Sequence, residues 1–323
     1  MTATMRAQQL VAPRVFEMIE VPQPDAESLA EGEVLLRVLA GGVCGSDLPF
    51  WNGQKRGSAE PGPGFPMHEV VGEVRASKHP QIVVGRRVVG WAKSFDALSE
   101  FIIAHGDELF AYDSQLTPTE AIILQPLACA IYAVDQLSSP VGKHAAVLGF
   151  GGIGALFTSV LRERGAQRIT VVDSIDRREE ALHFGADDVV IADAREWADA
   201  VTDADRPDVV IEAVGHHDGL VAAAVRAIAH SGEIYAFGIP EPDEQGFSFT
   251  TFLRKNLTLK SGVTEERARM LAAAEEHFLR NRARVERVVT DVLALEDIGD
   301  GFSRAAAPAP GQLKIAVTIT DAG

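Results

Sequence analysis

The chain has 323 residues, a length that suggests two domains and buries enough core to fold without disulfide or metal staples. Hydrophobic residues make up 46% and charged residues 24%, and 30 basic against 46 acidic residues give a formal net charge of −16, which argues against a nucleic-acid partner. The two cysteines, Cys44 and Cys129, exclude a disulfide framework and a four-thiolate zinc site, and they fit a reducing compartment.

The first third reads as short strands broken by turns. EVLLRVLA at 33–40 is a strand that Gly41-Gly42 should end, and the Gly/Pro-rich stretch 52–66 is a loop. HEVVGEV at 68–74 and GRRVVG at 85–90 are further strands, with Gly72 marking a bulge or a close backbone approach. Thr117-Pro118-Thr119-Glu120 is a helix-start signal, and Pro126 opens a second helix, PLACAIYAVDQL. Ser138-Ser139-Pro140 punctuates a boundary.

From His144 the rhythm becomes strand, helix, strand. Strands are expected at 145–148, 169–172, 188–191, 208–211 and 233–237, with helices at 153–164, 177–184 and 220–229. That alternation predicts a doubly wound parallel sheet. Helical periodicity resumes at 265–282, and a strand at 313–319 closes the chain. Residues 1–11 lack the pattern of a secretory leader, and no apolar run reaches the roughly 18 residues of a membrane span. A soluble, cytoplasmic protein with no membrane partner is expected.

AAVLGFGGIG at 145–154 holds G-x-G-x-x-G at Gly149, Gly151 and Gly154. Gly149 allows the tight turn out of the strand, Gly151 lets backbone approach a pyrophosphate, and Gly154 permits close packing of helix on strand. Gly152 and Ile153 complete the cofactor-binding turn. Asp173, nineteen positions after Gly154, stands where an acid grips the adenosine ribose. Its charge favours NAD over NADP, although Arg177 and Arg178 follow closely and could receive a 2′-phosphate or cap the adenine site.

GVCGSD at 42–47, GFPMHEVVGEV at 64–74, EAVG at 212–215 and EEALHFGADDVV at 179–190 join that fingerprint. With them the chain resembles the medium-chain, zinc-type alcohol/polyol dehydrogenase superfamily over nearly its whole length, sorbitol-, glucose- and threonine-dehydrogenase-like. The resemblance implies an α/β protein: a GroES-like, partly open β-barrel catalytic domain (1–139 plus 286–323) with an inserted Rossmann domain (140–285) and an active site in the cleft between them. It implies one catalytic zinc on Cys44, His68 and a third ligand, here Gln125, with Glu69 assisting directly or through water. It also implies proton release through Ser46, hydride transfer to nicotinamide, cofactor contacts from Val214, Gly215 and Arg178, and a homo-oligomer.

The chain departs from the family pattern at four places. Gln125 replaces the usual Cys, Glu or Asp, as in the glucose-dehydrogenase-like branch, and draws the reading toward sugars or cyclitols, or else toward a lost metal. Met67 replaces Gly before His68 and must crowd the turn or the pocket, while Pro49 replaces a His and shortens the proton relay to Ser46, cofactor ribose and water. The segment 91–98 stands where the four-cysteine lobe would be, so no structural zinc is expected. Taken singly, Cys44 fits a buried apolar residue, His68 a satisfied core histidine and Glu69 a strand-end ion pair; together, at family spacing, they read as ligands. Cys129 reads as core, Trp51 as the preferred pocket residue, and the strand near 233–237 as a sheet-edge contact.

The leading function is a zinc-dependent oxidoreductase moving a hydride between NAD(H) and a secondary alcohol or ketone of a sugar, polyol or cyclitol. A zinc-free NADPH-dependent quinone or enoyl reductase and a catalytically inactive dinucleotide-binding protein are the alternatives.

Overall fold

Residues 3–54, 62–241 and 244–319 are described by the computed structural model, so the part of the expected loop at 55–61 lies outside the described residues. A hairpin of β1 (Thr4–Ala12) and β2 (Val15–Pro22) opens the chain. Sequence pattern does not reveal it, because Gln8 and Gln9 interrupt the apolar alternation. Gln8 is nonetheless buried, and its amide donates to the Leu295 carbonyl at 2.9 Å.

β3 (Glu33–Gly42), helix α1 (Leu48–Trp51), β4 (Glu69–Ser77), β5 (Arg87–Trp91), β6 (Phe101–His105) and β7 (Leu109–Ala111) follow. β3 runs through Gly41-Gly42 instead of ending there. A Cβ on Gly41 would lie 2.1 Å from Met67 Cε, and one on Gly42 would lie 2.1 Å from Glu69 Oε2. The pair therefore makes room for two side chains of β4 and its approach. At Gly72 the close approach is to the Arg37 carbonyl, and the register shift falls on the facing strand β3, between Val38 and Ala40.

Helix α2 (Pro118–Ala121) begins at a capping box, in which Thr117 Oγ1 accepts from Glu120 N at 3.2 Å and Glu120 accepts from Thr117 N at 2.8 Å. Helix α3 (Leu124–Asp135) starts two residues before Pro126, which lies inside its first turn where no N–H partner is lost. α3 is buried on nearly every side. One apolar core runs from Ala40, Val71 and Val89 of the first sheet, through α3, to Ala145 and Val147 of the second.

The second sheet is built from β8 (His144–Leu148), β9 (Arg168–Asp173), β10 (Asp188–Ile191), β11 (Val209–Glu212), β12 (Glu233–Ala236) and β13 (Thr258–Lys260). Helices α4 (Gly152–Glu163), α5 (Arg178–Phe184), α6 (Ala194–Ala200), α7 (Leu220–Ala227) and α8 (Phe249–Arg254) connect them. All pairings are parallel, in the order β10-β9-β8-β11-β12-β13. Central strands such as VVIE in β11 are buried along their length, the pattern of a sheet covered on both faces. β12 is interior, so the edge expected near 233–237 is occupied by β13 instead. The strand order reverses between β8 and β11, and their carboxyl ends open a crevice.

Helices α9 (Arg267–Arg280) and α10 (Arg282–Val285) lead back, and the expected single helix at 265–282 breaks at Asn281. β14 (Val289–Ala294), α11 (Ile298–Ala306) and β15 (Lys314–Thr318) then rejoin the first sheet. Its order is β14-β15-β3-β4-β5-β7, with β6 also on β3. The parallel sheet is thus inserted between two stretches that share one antiparallel-rich sheet. Two arginines of the returning helices help tie the halves: the Arg267 guanidinium lies 4.9 Å from the Trp91 ring and pairs with Glu108, and Arg282 pairs with Glu120. Among the described residues, no helix is long and apolar enough to cross a membrane.

Candidate active site

A single turn, Gly45–Asp47, follows β3 and arranges three side chains. Asp47 is fully buried; its Oδ2 accepts from the Cys44 N–H at 3.2 Å and its Oδ1 meets His68 Nδ1 at 2.8 Å. One carboxylate thus fixes both the Cys44 backbone and the His68 ring. Ser46 Oγ donates to Cys44 Sγ at 3.3 Å. Burial pushes the His68 pKa down, but the Asp47 carboxylate and Cys44 outweigh it, holding the proton well above the usual imidazole range.

Glu69 opens β4 beside Gly42 and is fully buried. Donor atoms of Cys44, His68 and Glu69 all lie within 4.8 Å of one another. Glu69 Oε1 accepts from Lys314 Nζ at 2.5 Å, and the same ammonium donates to the Val43 carbonyl at 3.0 Å. Burial alone would lower the Lys314 pKa; Glu69 and Cys44 carry it above the usual lysine value. Glu69 Oε2 is buried with no hydrogen-bond partner. A thiol, an imidazole and an unpartnered carboxylate oxygen converging in this way fit a zinc ion, whose charge would satisfy that oxygen.

Gln125 stands inside the first turn of α3 instead of before the helix, as sequence pattern suggests. It is buried, and its amide nitrogen lies 3.8 Å from Cys129 Sγ one turn on. Cys129 faces this site as well as the core. Its thiol is pushed up to about 12 by burial, with Thr264 hydrogen-bonding against that shift and Cys44, Glu69 and Lys314 within electrostatic reach. Met67 is fully buried over Gly41, so its bulk fills the core and leaves the pocket clear.

Trp51 requires a correction. It is 3% exposed and packs on Phe302 at 5.7 Å and under Arg14 at 5.6 Å, within the core of the first sheet. The one-turn helix α1 rotates its neighbour Phe50 toward the site instead. Phe50 contacts Phe65 and Phe95 at 5.3 and 5.9 Å, and the Phe95 ring lies 5.2 Å from His68. Phe95 takes a left-handed backbone (φ 58°), unusual for a bulky residue, held by the Phe95 N–H to Ala92 carbonyl and Met67 N–H to Phe95 carbonyl bonds. Three partly exposed phenylalanines therefore wall the site beside His68.

The glycine turn sits at the carboxyl end of β8. Gly149 has φ +88°, and a Cβ there would lie 2.5 Å from Val214 Cγ2; a Cβ on Gly154 would lie 2.0 Å from the Gly149 carbonyl oxygen. Around a Cβ on Gly151 nothing lies within 4 Å, leaving open space for a dinucleotide. Gly152 donates to the Leu313 carbonyl at 3.2 Å, next to Lys314, and Ile153 packs on the core. Asp173 Oδ2 accepts from Phe150 N at 2.5 Å and Oδ1 from Ile175 N at 2.7 Å, so the acid braces the turn. Arg177, not Arg178, pairs with Asp173, at 3.2 Å. Arg178 donates to the Val189 carbonyl at 3.1 Å, which turns its guanidinium to β10. Across the crevice, Glu212 Oε1 accepts from Val214 N and Gly215 N at 2.8 and 2.9 Å.

Two family models match this chain: the alcohol dehydrogenase GroES-like domain over residues 30–107, and the zinc-binding dehydrogenase over residues 152–277. The chain belongs to the zinc-type medium-chain dehydrogenase/reductase family. It is an oxidoreductase of the CH–OH donor class. Among similar curated proteins, L-threonine 3-dehydrogenase of Bacillus velezensis is 25% identical, covering 88% of this chain and 90% of its own. Sorbitol dehydrogenase of Bacillus subtilis is 25% identical over 93% of each chain. The solved alcohol dehydrogenase of Thermus sp. ATN1 shares the fold, with a TM-score of 0.84, 24% identity, and coverage of 98% of this chain and 100% of that one.

Within this dehydrogenase, sequence reasoning weighed Phe50 and Phe95 beside Trp51 as pocket residues but preferred Trp51, and it missed Lys314, Asp47, Phe65 and Asp96. The one available signal was Lys314, a charge inside the apolar run of β15. Replacing Lys314 by Met leaves Glu69 buried and unpaired, so urea unfolding should show a loss of about 3–5 kcal/mol, largely recovered in the Glu69→Gln/Lys314→Met double variant. Asp96, beside Phe95, has a buried Oδ1 without a partner, and burial raises its pKa from 3.8 to about 6. A raised carboxyl favours the fold below the unfolded value and loses that contribution as pH rises through about 6. Asp96→Asn should therefore raise the melting temperature at pH 8 relative to the parent and give no such gain at pH 4, as followed by calorimetry.

Proposed function

We propose that this chain is a zinc-assisted dehydrogenase that moves a hydride between NAD(H) and a secondary alcohol or ketone of a sugar, polyol or cyclitol. The observation that carries the reading is the convergence of Cys44, His68 and Glu69 within 4.8 Å, with Glu69 Oε2 buried and unpartnered. These three would hold the metal, with the Gln125 amide oxygen as a further donor from α3. A bound zinc supplies Lewis acidity that lowers the pKa of the substrate hydroxyl, and the nicotinamide accepts the hydride.

The remaining work falls to the chain. Asp47 sets the His68 ring by binding Nδ1 and leaves Nε2 for coordination. Lys314 anchors one oxygen of Glu69 and leaves the other toward the donor set. Ser46, whose hydroxyl donates to Cys44, would relay the substrate proton. Pro49 has no proton to offer, so the path continues from Ser46 to the cofactor ribose or water. The aromatic wall of Phe50, Phe65 and Phe95 suits the C–H face of a sugar or cyclitol ring. The relatives named for sorbitol and threonine support a small polar alcohol.

At the cofactor, Asp173 Oδ1 keeps a second lone pair for a ribose hydroxyl, while Oδ2 already accepts from Phe150 and Arg177. Its pairing with Arg177 softens its repulsion of a 2′-phosphate, so NAD preference rests on hydrogen bonding more than on charge. The three-donor cluster favours this metal-assisted reading over a zinc-free reductase, which needs no such set.

Cys44→Ser should lower zinc affinity and turnover together by at least about 100-fold, the upper end for partners one shell further out. Full activity at less than about 0.2 zinc per chain, measured by emission spectrometry, would overturn the metal-assisted mechanism. Asp173→Ala should raise KM for NAD about tenfold, the value of one charge-assisted hydrogen bond, while changing KM for NADP little. An unchanged NAD/NADP ratio would show that the ribose is read elsewhere.

A further inference from the structure

His216 lies in the loop after β11, at the carboxyl edge of the parallel sheet where the strand order reverses. That loop is unusually well fixed. The buried carboxylate of Glu212 accepts from the N–H groups of Val214, Gly215 and Gly238. Gly215 is left-handed against Ile239, and His216 is left-handed too (φ 55°), its N–H donating to the Ile239 carbonyl at 2.8 Å. The backbone therefore presents the His216 ring in one direction. The ring crosses to the other half of the molecule, where Nε2 lies 3.0 Å from the Gly45 carbonyl oxygen, 171 positions away in sequence. A carbonyl only accepts, so Nε2 carries the hydrogen. Gly45 itself is exposed and has no side chain, and His216 Nε2 lies 3.9 Å from where its Cβ would sit.

The two ends of this contact are informative. Gly45 stands between Cys44 and Ser46, the proposed metal ligand and the proposed proton acceptor. Two residues before His216, Val214 packs on Gly149 of the dinucleotide turn. The geometry points to His216 as the positioning residue that sets the Cys44–Ser46 turn against the cofactor loop. It acts through the Gly45 backbone and touches no reacting atom. Its effect on turnover rests on the dehydrogenase reading above; its effect on the turn does not.

The test compares His216→Phe, which keeps a planar ring but cannot donate, with His216→Gln, which keeps a donor of similar reach. Both give up histidine's tolerance of the left-handed backbone, and the melting temperatures separate that cost from the lost hydrogen bond. The exposed neighbour His217→Phe serves as control, and thermal melting checks that each variant folds. Amide exchange of peptides covering 43–48 should quicken about three- to tenfold in His216→Phe and return toward the parent rate in His216→Gln. With a substrate in hand, kcat should fall by a similar factor in His216→Phe alone, with zinc content and NAD affinity by fluorescence titration unchanged. Unaltered exchange at 43–48 in His216→Phe, or equal quickening in the Gln and Phe variants, overturns the proposal. A preparation that turns over no alcohol, yet shows the exchange difference, overturns the dehydrogenase reading and leaves this one standing.

Discussion

The buried ion pair between Glu69 and Lys314 is the constraint on which the rest of the site depends. Two opposite charges in a dry interior hold only if each finds its partner and its remaining hydrogen bonds. Lys314 meets this by donating to Glu69 and to the Val43 carbonyl, immediately before Cys44. The pair fastens the returning strand β15 to the start of β4. It brings the residue next to Leu313, which accepts from Gly152, into the same small volume. Closure of the first sheet, placement of the donor cluster and the location of the glycine turn are therefore one packing problem.

Around that pair the site is built from economical substitutions of space. Gly41 and Gly42 carry no side chains where Met67 and Glu69 need room, so two large residues at the start of β4 and just before it are accommodated by two absent side chains on β3. Asp47 does similar double duty, fixing a ring nitrogen with one oxygen and a backbone N–H with the other. Glu69 Oε2 is buried without a hydrogen-bond partner, and it belongs to the Cys44, His68 and Glu69 cluster of metal-type donors.

How much of this was legible depends on the range of the forces involved. The alternation from β8 to β12 was readable because strands covered on both faces become short apolar runs, and the helices between them keep a 3.6-residue period. The hairpin β1–β2 was not, since Gln8 is buried by a hydrogen bond to Leu295 that no local pattern announces. Nor was β14, whose residues alternate only between half-buried and exposed. In the site, motif spacing grouped Cys44, His68 and Glu69, but it assigned the pocket to Trp51. The one-turn helix α1 turns Phe50 onto Phe95, beside His68, and sends Trp51 into the core.

The sequence by itself determined the kinds of group and their local settings: a thiol in a tight turn, a His-Glu pair opening a strand, and three glycines between a strand and a helix. These follow from steric and hydrogen-bonding rules that act over a few residues. Only the tertiary structure decided the partners. Glu69 finds Lys314 across 245 positions and His216 finds Gly45 across 171, while Asp173 pairs with Arg177 and leaves Arg178 to a strand carbonyl. A side chain chooses among distant partners according to which strands lie adjacent, and that adjacency is a property of the whole packed chain.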